Sequence, residues 1–428
     1  MGKVSGRMND LCLVNTPVYE LQDDRLEPPL GLLYLATTAQ KAGFDVSICD
    51  LGGIEKDLWS LPEASMYGFT TYSTTYGRTL ELVALAREAN PDAIMVAGGA
   101  HASALPQLVA EDFDHVVIGE GELAVCELLS GLTKEKIITG YPVEALDKLP
   151  FIDYSFVDTD SYHRIVDGKK SFTVLSSRGC PYGCLFCNSI VMGGHKRVRF
   201  RSPSFVVGEM MGIKKRYGDV NFRFGDDLFG GKRSWMEEFV TESKHLEDLT
   251  YRAFVRLNQC ASDWGFTDML AESGCKHIAV GLESGSDAIL SAMGKGITAQ
   301  TAIDGIRQAK AAGLLVRVYL IVGFPGETWR TVNETIDLVA KTKPDEFVVY
   351  PLIPYPGTPL YNKPGDYGLL DVDEDFTHYF QIHGNKESQF VYDLADVDRV
   401  GLQKMKDYMV DELEKMQLSW ARDSKGYV

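Results

Sequence analysis

Short apolar runs alternate with amphipathic stretches along the first third of the chain. Residues 11–15 (Leu-Cys-Leu-Val-Asn) read as a buried strand. The following helix is predicted over residues 30–42, introduced by Pro28-Pro29 and stopped by Gly43. Residues 44–49 and 66–70 repeat the strand pattern, and a helix is predicted over 79–89. Residues 93–97 end in Gly98-Gly99, and 115–118 end in Gly119-Glu120-Gly121. This alternation predicts an α/β, doubly wound, Rossmann-like domain over 9–140, with a parallel sheet between two helical layers. Ligands of such sheets bind beyond the carboxyl ends of the strands. The loops 16–30, 70–76, 98–103 and 119–122 are therefore the candidate binding edge. They lack the third glycine of a dinucleotide fingerprint.

Residues 141–170, with Tyr141-Pro142 and Leu149-Pro150, read as a connector. From Phe172 the strand–helix alternation resumes. A helix over 203–217 is capped by Ser202, with Pro203 at its first position. Strands follow over 221–225, ending in Asp226-Asp227, and over 252–256. Another ends in Glu283, and one over 314–322 runs into Gly323-Phe-Pro-Gly-Glu327. The last covers 347–351. Six such units over 171–365 predict an incomplete relative of the (β/α)8 barrel, with its functional face at the strand carboxyl ends. Segment 366–428 is acidic and then helical. Val400, Leu402, Met405, Tyr408, Met409, Leu413 and Met416 fall at helical spacing, a stripe that suits packing on the barrel or covering its open side.

At 428 residues the chain is long enough for two or more domains, and 45% hydrophobic with 24% charged residues is an ordinary globular balance. The formal charge of −17 argues against a broad grip on nucleic acid, and the basic run 195–201 reads as a solvated loop. No apolar run approaches the ~18 residues of a membrane span, and no signal peptide is evident. Cys12, Cys49, Cys126, Cys260 and Cys275 lie among apolar neighbours as buried free thiols. A soluble protein in a reducing cytoplasm fits them.

The remaining three cysteines, Cys180, Cys184 and Cys187, stand at C-x3-C-x2-C spacing on a Gly/Pro-rich loop after an apolar strand. Three thiolates on one loop can wrap an iron–sulfur cube while leaving one iron without a protein ligand, which suits a site where something else binds. Zinc or buried thiols are the plainer alternatives, and three cysteines on such a loop weigh against both.

Here the sequence resembles the radical S-adenosylmethionine (SAM) superfamily, whose signature is this spacing with an aromatic residue, Phe186, before the third cysteine. The resemblance implies a 4Fe–4S cluster on Cys180, Cys184 and Cys187, whose open iron chelates SAM and cleaves it to a 5′-deoxyadenosyl radical. It assigns Asp226 and Asp227 to the SAM amino group and Glu283 to a SAM contact. Arg256 and Arg317 are rivals for the SAM carboxylate, and the Gly323 turn is set against adenine.

The first domain, with Pro-Pro-Leu30-Gly31-Leu-Leu-Tyr, Gly98-Gly99-Ala-His101 and Ile-Gly119-Glu120-Gly121-Glu, resembles the cobalamin-binding domain that precedes many radical SAM cores. That likeness implies cobalamin at Thr16, Leu30, Gly31, Thr71, Tyr72, Ser73, Gly98, Gly99, His101, Gly119, Glu120 and Gly121. The D-x-H-x-x-G motif that supplies a histidine to cobalt is absent, as in relatives thought to leave the lower face open. His115 reads as structural. Methylthiotransferases hold a second cluster on N-terminal cysteines, but Cys12 and Cys49 lie within strands and Cys126 in a helix.

The resemblance thus implies a methyltransferase acting on an unactivated carbon or phosphinate of a small-molecule or peptide substrate. Its methyl group would come from methylcobalamin lying between the domains. An external low-potential reductant of flavodoxin or ferredoxin type would serve it. Cyclisation, ring contraction, decarboxylation or epimerisation, with cobalamin unmethylated or absent, is the alternative; the first domain is then open to a docking role.

Overall fold

A computed structural model describes residues 9–21, 23–189, 191, 197–380, 389–416 and 419–420. His195 and Lys196 of the basic run, and Gln417 and Leu418 at the end of the predicted C-terminal helix, lie outside the described residues. The chain divides into two compact units, one running to Tyr162 and the other beginning at His163.

In the first unit six short strands form one sheet, the inner four largely buried and the two at its edges only partly so. They are β1 (Leu11–Asn15), β2 (Val46–Asp50), β3 (Met66–Thr70), β4 (Ile94–Gly98), β5 (His115–Ile118) and β6 (Ile137–Thr139). All pairings are parallel, in the order β2-β1-β3-β4-β5-β6. Alternate side chains feed two cores. Cys12, Val14, Phe69, Met95 and Ala97 pack with Leu82, Val83 and Ala86 of helix Tyr76–Ala89. Leu11, Leu13, Met66, Val96 and Val117 pack with Leu32 and Ala36 of helix Leu30–Lys41 and with Ala124 and Leu128 of helix Glu122–Leu129.

The stretch expected to be a connector is partly built into this unit. Beyond β6, the Asp153 amide donates to Thr37 Oγ1 at 3.0 Å, and the Tyr162 hydroxyl donates to Asp50.

In the second unit, β7 (Ile165–Val166) and β8 (Lys169–Val174) form an antiparallel hairpin. Its turn residues Asp167 and Gly168 both have positive φ, +48° and +74°. After the short strands β9 (Ser177–Arg178) and β10 (Arg199–Phe200) come β11 (Asn221–Phe224), β12 (Tyr251–Val255), β13 (Cys275–Glu283), β14 (Leu315–Val322) and β15 (Glu346–Pro351). Strands β8, β11, β12, β13, β14 and β15 pair in parallel in that order, the expected six-stranded partial barrel.

β16 (Leu369–Leu370) and β17 (Asp393–Leu394) form a small ribbon, and β18 (Ser419–Trp420) pairs beside β15. The C-terminal helix Arg399–Lys415 packs on helix Trp329–Thr342. The Trp329 and Tyr408 rings meet at 5.6 Å, and the Tyr408 hydroxyl donates to Asn333 Oδ1 at 3.0 Å. Among the described residues no helix is long and apolar enough to cross a membrane.

Candidate active site

The cysteine loop begins beyond β8 and β9 at Gly179. Its φ is +92°, and a Cβ there would meet the Arg197 carbonyl oxygen at 2.5 Å, so the entry turn requires glycine. Inside the loop the Cys187 amide donates to the Cys184 carbonyl at 3.1 Å, and the Leu185 amide to Met293 O at 3.0 Å.

The three thiols act on one another electrostatically. Burial raises the Cys180 thiol and pushes Cys187 up to about 11, so iron binding displaces protons there. Among the described residues no three His, Cys, Asp or Glu side chains converge as a single ion such as zinc requires. A cube makes a different demand, since each thiolate takes its own iron corner, and the loop fits that demand.

Arg256, just past β12, braces this loop. Its Nη1 lies 3.6 Å from Cys184 Sγ, its guanidinium sits 3.6 Å above the Tyr182 ring, and Nη2 donates to the Lys295 carbonyl. Asn258 receives a bond from Arg256 Nε at 3.3 Å and donates to the Tyr182 hydroxyl at 2.8 Å. Nearby, Glu283 ends β13 with φ +64°, a left-handed backbone rare outside glycine, at a register shift in the sheet. It forms a buried ion pair with Lys295 at 2.6 Å, and the Lys295 ammonium stands 5.9 Å from the Phe186 ring. At Gly281 a Cβ would fall 2.1 Å from the Glu283 carboxylate and 2.6 Å from the Lys295 nitrogen. Sequence reading missed Lys295 because its partner lies twelve residues upstream on another element.

The other expected SAM-site residues have the following surroundings. Asp226 is buried and accepts from the Ser176 amide at 3.1 Å and from the Ser176 and Ser177 hydroxyls at 2.7 and 2.6 Å. These bonds pin the strand end that leads into the cysteine loop. Burial raises the Asp226 pKa to about 6 despite those bonds. Asp227 is exposed, accepts from Ser189 Oγ at 3.1 Å, and acts electrostatically on Cys180 and Cys187.

Arg317 lies near the start of β14, fully buried and ion-paired with Glu346 at 2.5 Å, far from the strand's carboxyl end. Its guanidinium is held there by Glu346. Arg256 is engaged with the loop. Gly323, with φ +96°, is covered by the chain itself: a Cβ there would meet Phe390 at 2.4 Å, and the Tyr392 hydroxyl donates to its carbonyl at 2.7 Å. Close packing of Phe390 and Tyr392 leaves no room for a side chain at that position.

In the first unit the strand order reverses between β1 and β3, the switch point where such sheets hold ligands. Thr16 follows β1, its hydroxyl 3.0 Å from that of Thr79. Beyond β3, Thr71 ties the neighbouring loop down: its Oγ1 donates to Gly98 O at 2.8 Å and accepts from the Ala102 amide at 3.0 Å. Tyr72 next to it is half exposed. Gly99 has φ +93° and approaches the Thr71 carbonyl, where a Cβ would lie at 3.1 Å, whereas a Cβ on Gly98 would meet nothing nearer than 4.0 Å. The backbone at Gly98 is thus open to close approach.

The Gly119 amide donates to Ser103 Oγ at 3.0 Å, Glu120 accepts from the Val143 amide at 3.1 Å, and Gly121 precedes helix Glu122–Leu129. Leu30 and Gly31 open helix Leu30–Lys41, with open space at the Gly31 Cβ position. His101 sits beneath the edge. It is fully buried, with Nδ1 2.9 Å from Ser73 Oγ and its ring 4.5 Å from that of Tyr76, and burial lowers its pKa to about 4. It organises the loop beneath the edge.

Comparison with known proteins agrees with this architecture. Residues 174–339 match the Radical SAM superfamily, and residues 24–129 match the B12 binding domain. The chain is 31% identical over 368 residues to the uncharacterized methyltransferase PH0819 of Pyrococcus horikoshii, covering 78% of both chains. It is 23% identical to the anaerobic magnesium-protoporphyrin IX monomethyl ester cyclase of Rubrivivax gelatinosus, covering 79% of this chain and 66% of that one. Among solved structures it resembles the radical SAM methyltransferase TsrM of Kitasatospora setae, with cobalamin and a 4Fe–4S cluster bound. That likeness has a TM-score of 0.64 and 21% identity, over 82% of this chain and 74% of the other.

Proposed function

Because this chain belongs to the radical SAM superfamily and carries a B12-binding domain ahead of its core, we propose that it methylates an unactivated carbon or a phosphinate. It is a cobalamin-dependent radical SAM enzyme, and its cofactors are a 4Fe–4S cluster, SAM and cobalamin. When bound, these groups supply a 5′-deoxyadenosyl radical and a methyl group. The observation that carries the methyl-transfer reading is the extended match to PH0819, a named methyltransferase.

In this reading Cys180, Cys184 and Cys187 hold the cluster while Arg256 fixes the loop's pose through Tyr182 and Cys184. Asp227, exposed beside those cysteines, accepts hydrogen bonds from the methionyl amine of SAM. The Glu283–Lys295 pair supplies one acceptor and one donor at the same end of the barrel. Thr16, Thr71, Tyr72 and the glycines at 98, 99, 119 and 121 cradle the corrin. A flavodoxin- or ferredoxin-type protein delivers the electron.

The test is anaerobic turnover with SAM carrying a deuterated methyl group. Methylation yields 5′-deoxyadenosine, S-adenosylhomocysteine and a substrate heavier by a labelled methyl. Deoxyadenosine without S-adenosylhomocysteine would sink methyl transfer and support cyclase-type chemistry, the reading that the Rubrivivax gelatinosus relative favours. Cys184→Ala should abolish deoxyadenosine formation and cluster absorbance together.

A further inference from the structure

The barrel strands carry polar residues on the face turned away from the helices. On β12, Tyr251 packs against Phe239 of helix Arg233–Ser243, so Arg252, Phe254 and Arg256 project the other way. Register sets Arg252 beside His277 of β13, and Arg317 of β14 beside Glu346 of β15, near the amino ends of the strands. Buried guanidinium groups are costly unless answered by anions and hydrogen bonds. Glu346 answers Arg317 and lies 3.3 Å from His277.

Arg252 differs. It is 2% exposed, and its Nη2 donates to the Tyr319 hydroxyl at 3.2 Å. Among the described residues its Nε and Nη1 have no hydrogen-bond partner. Burial, with repulsion from Arg317, Arg223 and Arg164, pulls its pKa down to about 10. The Phe254 and Tyr319 rings lie 5.9 Å apart, and the Tyr319 and Tyr350 rings stack at 6.1 Å and 17°, forming an aromatic column next to the cations.

We infer that the barrel floor binds the oxyanion end of the substrate, a carboxylate or phosphonate, on Arg252, with the aromatic column carrying the substrate's apolar body. This rests on reading the barrel as the seat of turnover. It also sets a length. Arg252 on β12 and the cluster-bracing Arg256 just past it are four residues apart in extended chain, or ~13 Å at the usual rise. An acid anchored on the floor therefore needs a body on the order of 10 Å to bring its reacting carbon to the cysteine end. Elongated aromatic or amphiphilic acids meet that condition; short amino acids do not.

The experiment uses the reconstituted full-length protein without SAM, probed by calorimetry with 4-phenylbutyrate and its neutral counterpart 4-phenylbutyramide. The acid should bind and the amide should not, and Arg252→Met should weaken acid binding at least about tenfold, the scale of a lost charge-assisted hydrogen bond. Arg252→Lys should keep part of it. The Arg252→Met protein alone should melt no lower than the parent, because the change removes an incompletely answered buried charge.

Equal binding of acid and amide, undiminished binding in Arg252→Met, or no binding of the acid to the parent at millimolar concentration would each overturn the proposal. A lowered melting point with binding intact would make Arg252 a framework residue and do the same. Turnover is scored separately. A parent protein that binds the acid yet releases no 5′-deoxyadenosine from SAM would sink the enzyme reading and leave the anion site standing.

Discussion

At the scale of single residues, the buried Glu283–Lys295 pair ties the backbone outlier at the end of β13 to the chain that follows. Lys295→Met leaves the carboxylate buried without its cation and should cost about 3–5 kcal/mol in denaturant unfolding. The double variant Glu283→Gln/Lys295→Met should recover most of that loss.

Asp226 gives a prediction in pH. Its pKa is near 6 in the folded state against 3.8 for the ordinary carboxyl. The folded protein thus holds this proton more tightly than the unfolded chain. The corresponding stability is fully present below pH 3.8 and is lost as pH rises through 6, a change of about 3 kcal/mol. Asp226→Asn should remove that fall from the unfolding free energy measured between pH 4 and 7. A parallel pH profile in variant and parent would refute it.

Among secondary-structure elements, the cysteine loop is positioned by what precedes it: Asp226 clamps Ser176 and Ser177, and Gly179 turns the chain against Arg197. Gly179→Ala should lower iron incorporation per chain while the thermal midpoint of the rest of the barrel moves little. Equal iron content in variant and parent would contradict that role.

The strands and the triplet were legible in sequence because each is a local pattern, an apolar run or a fixed spacing. Contacts across elements were not. Asp226 and Asp227 look equivalent as a pair, yet the chain beyond β11 buries one against two serines and leaves the other exposed near the cysteines. Arg256 and Arg317 likewise both stand as cations in apolar runs, one just past β12 and the other near the start of β14. Only the register places Arg317 against Glu346 and Arg256 beside Cys184. β6 escaped notice because three residues flanked by charge and glycine carry too little period to read.

For the whole molecule, each unit has its own buried interior, and the first has a core on each face of its sheet. Residues 9–162 expressed alone should therefore melt cooperatively and retain corrinoid absorbance after desalting. A broad, non-cooperative melt would show that this unit depends on the remainder of the chain. If a flavodoxin- or ferredoxin-type protein delivers the electron as proposed, the net charge of −17 would require it to dock through a local patch instead of a general electrostatic attraction.

The wedge that Phe390 and Tyr392 drive onto Gly323 has a practical corollary for anyone shortening this protein. A version stopped before residue 389 would strip two aromatic rings from the tip of a central strand and leave bare peptide groups where a stopper had been. The segment around residues 390–392 thus finishes the end of β14, and trimming it for convenience would leave that strand end open.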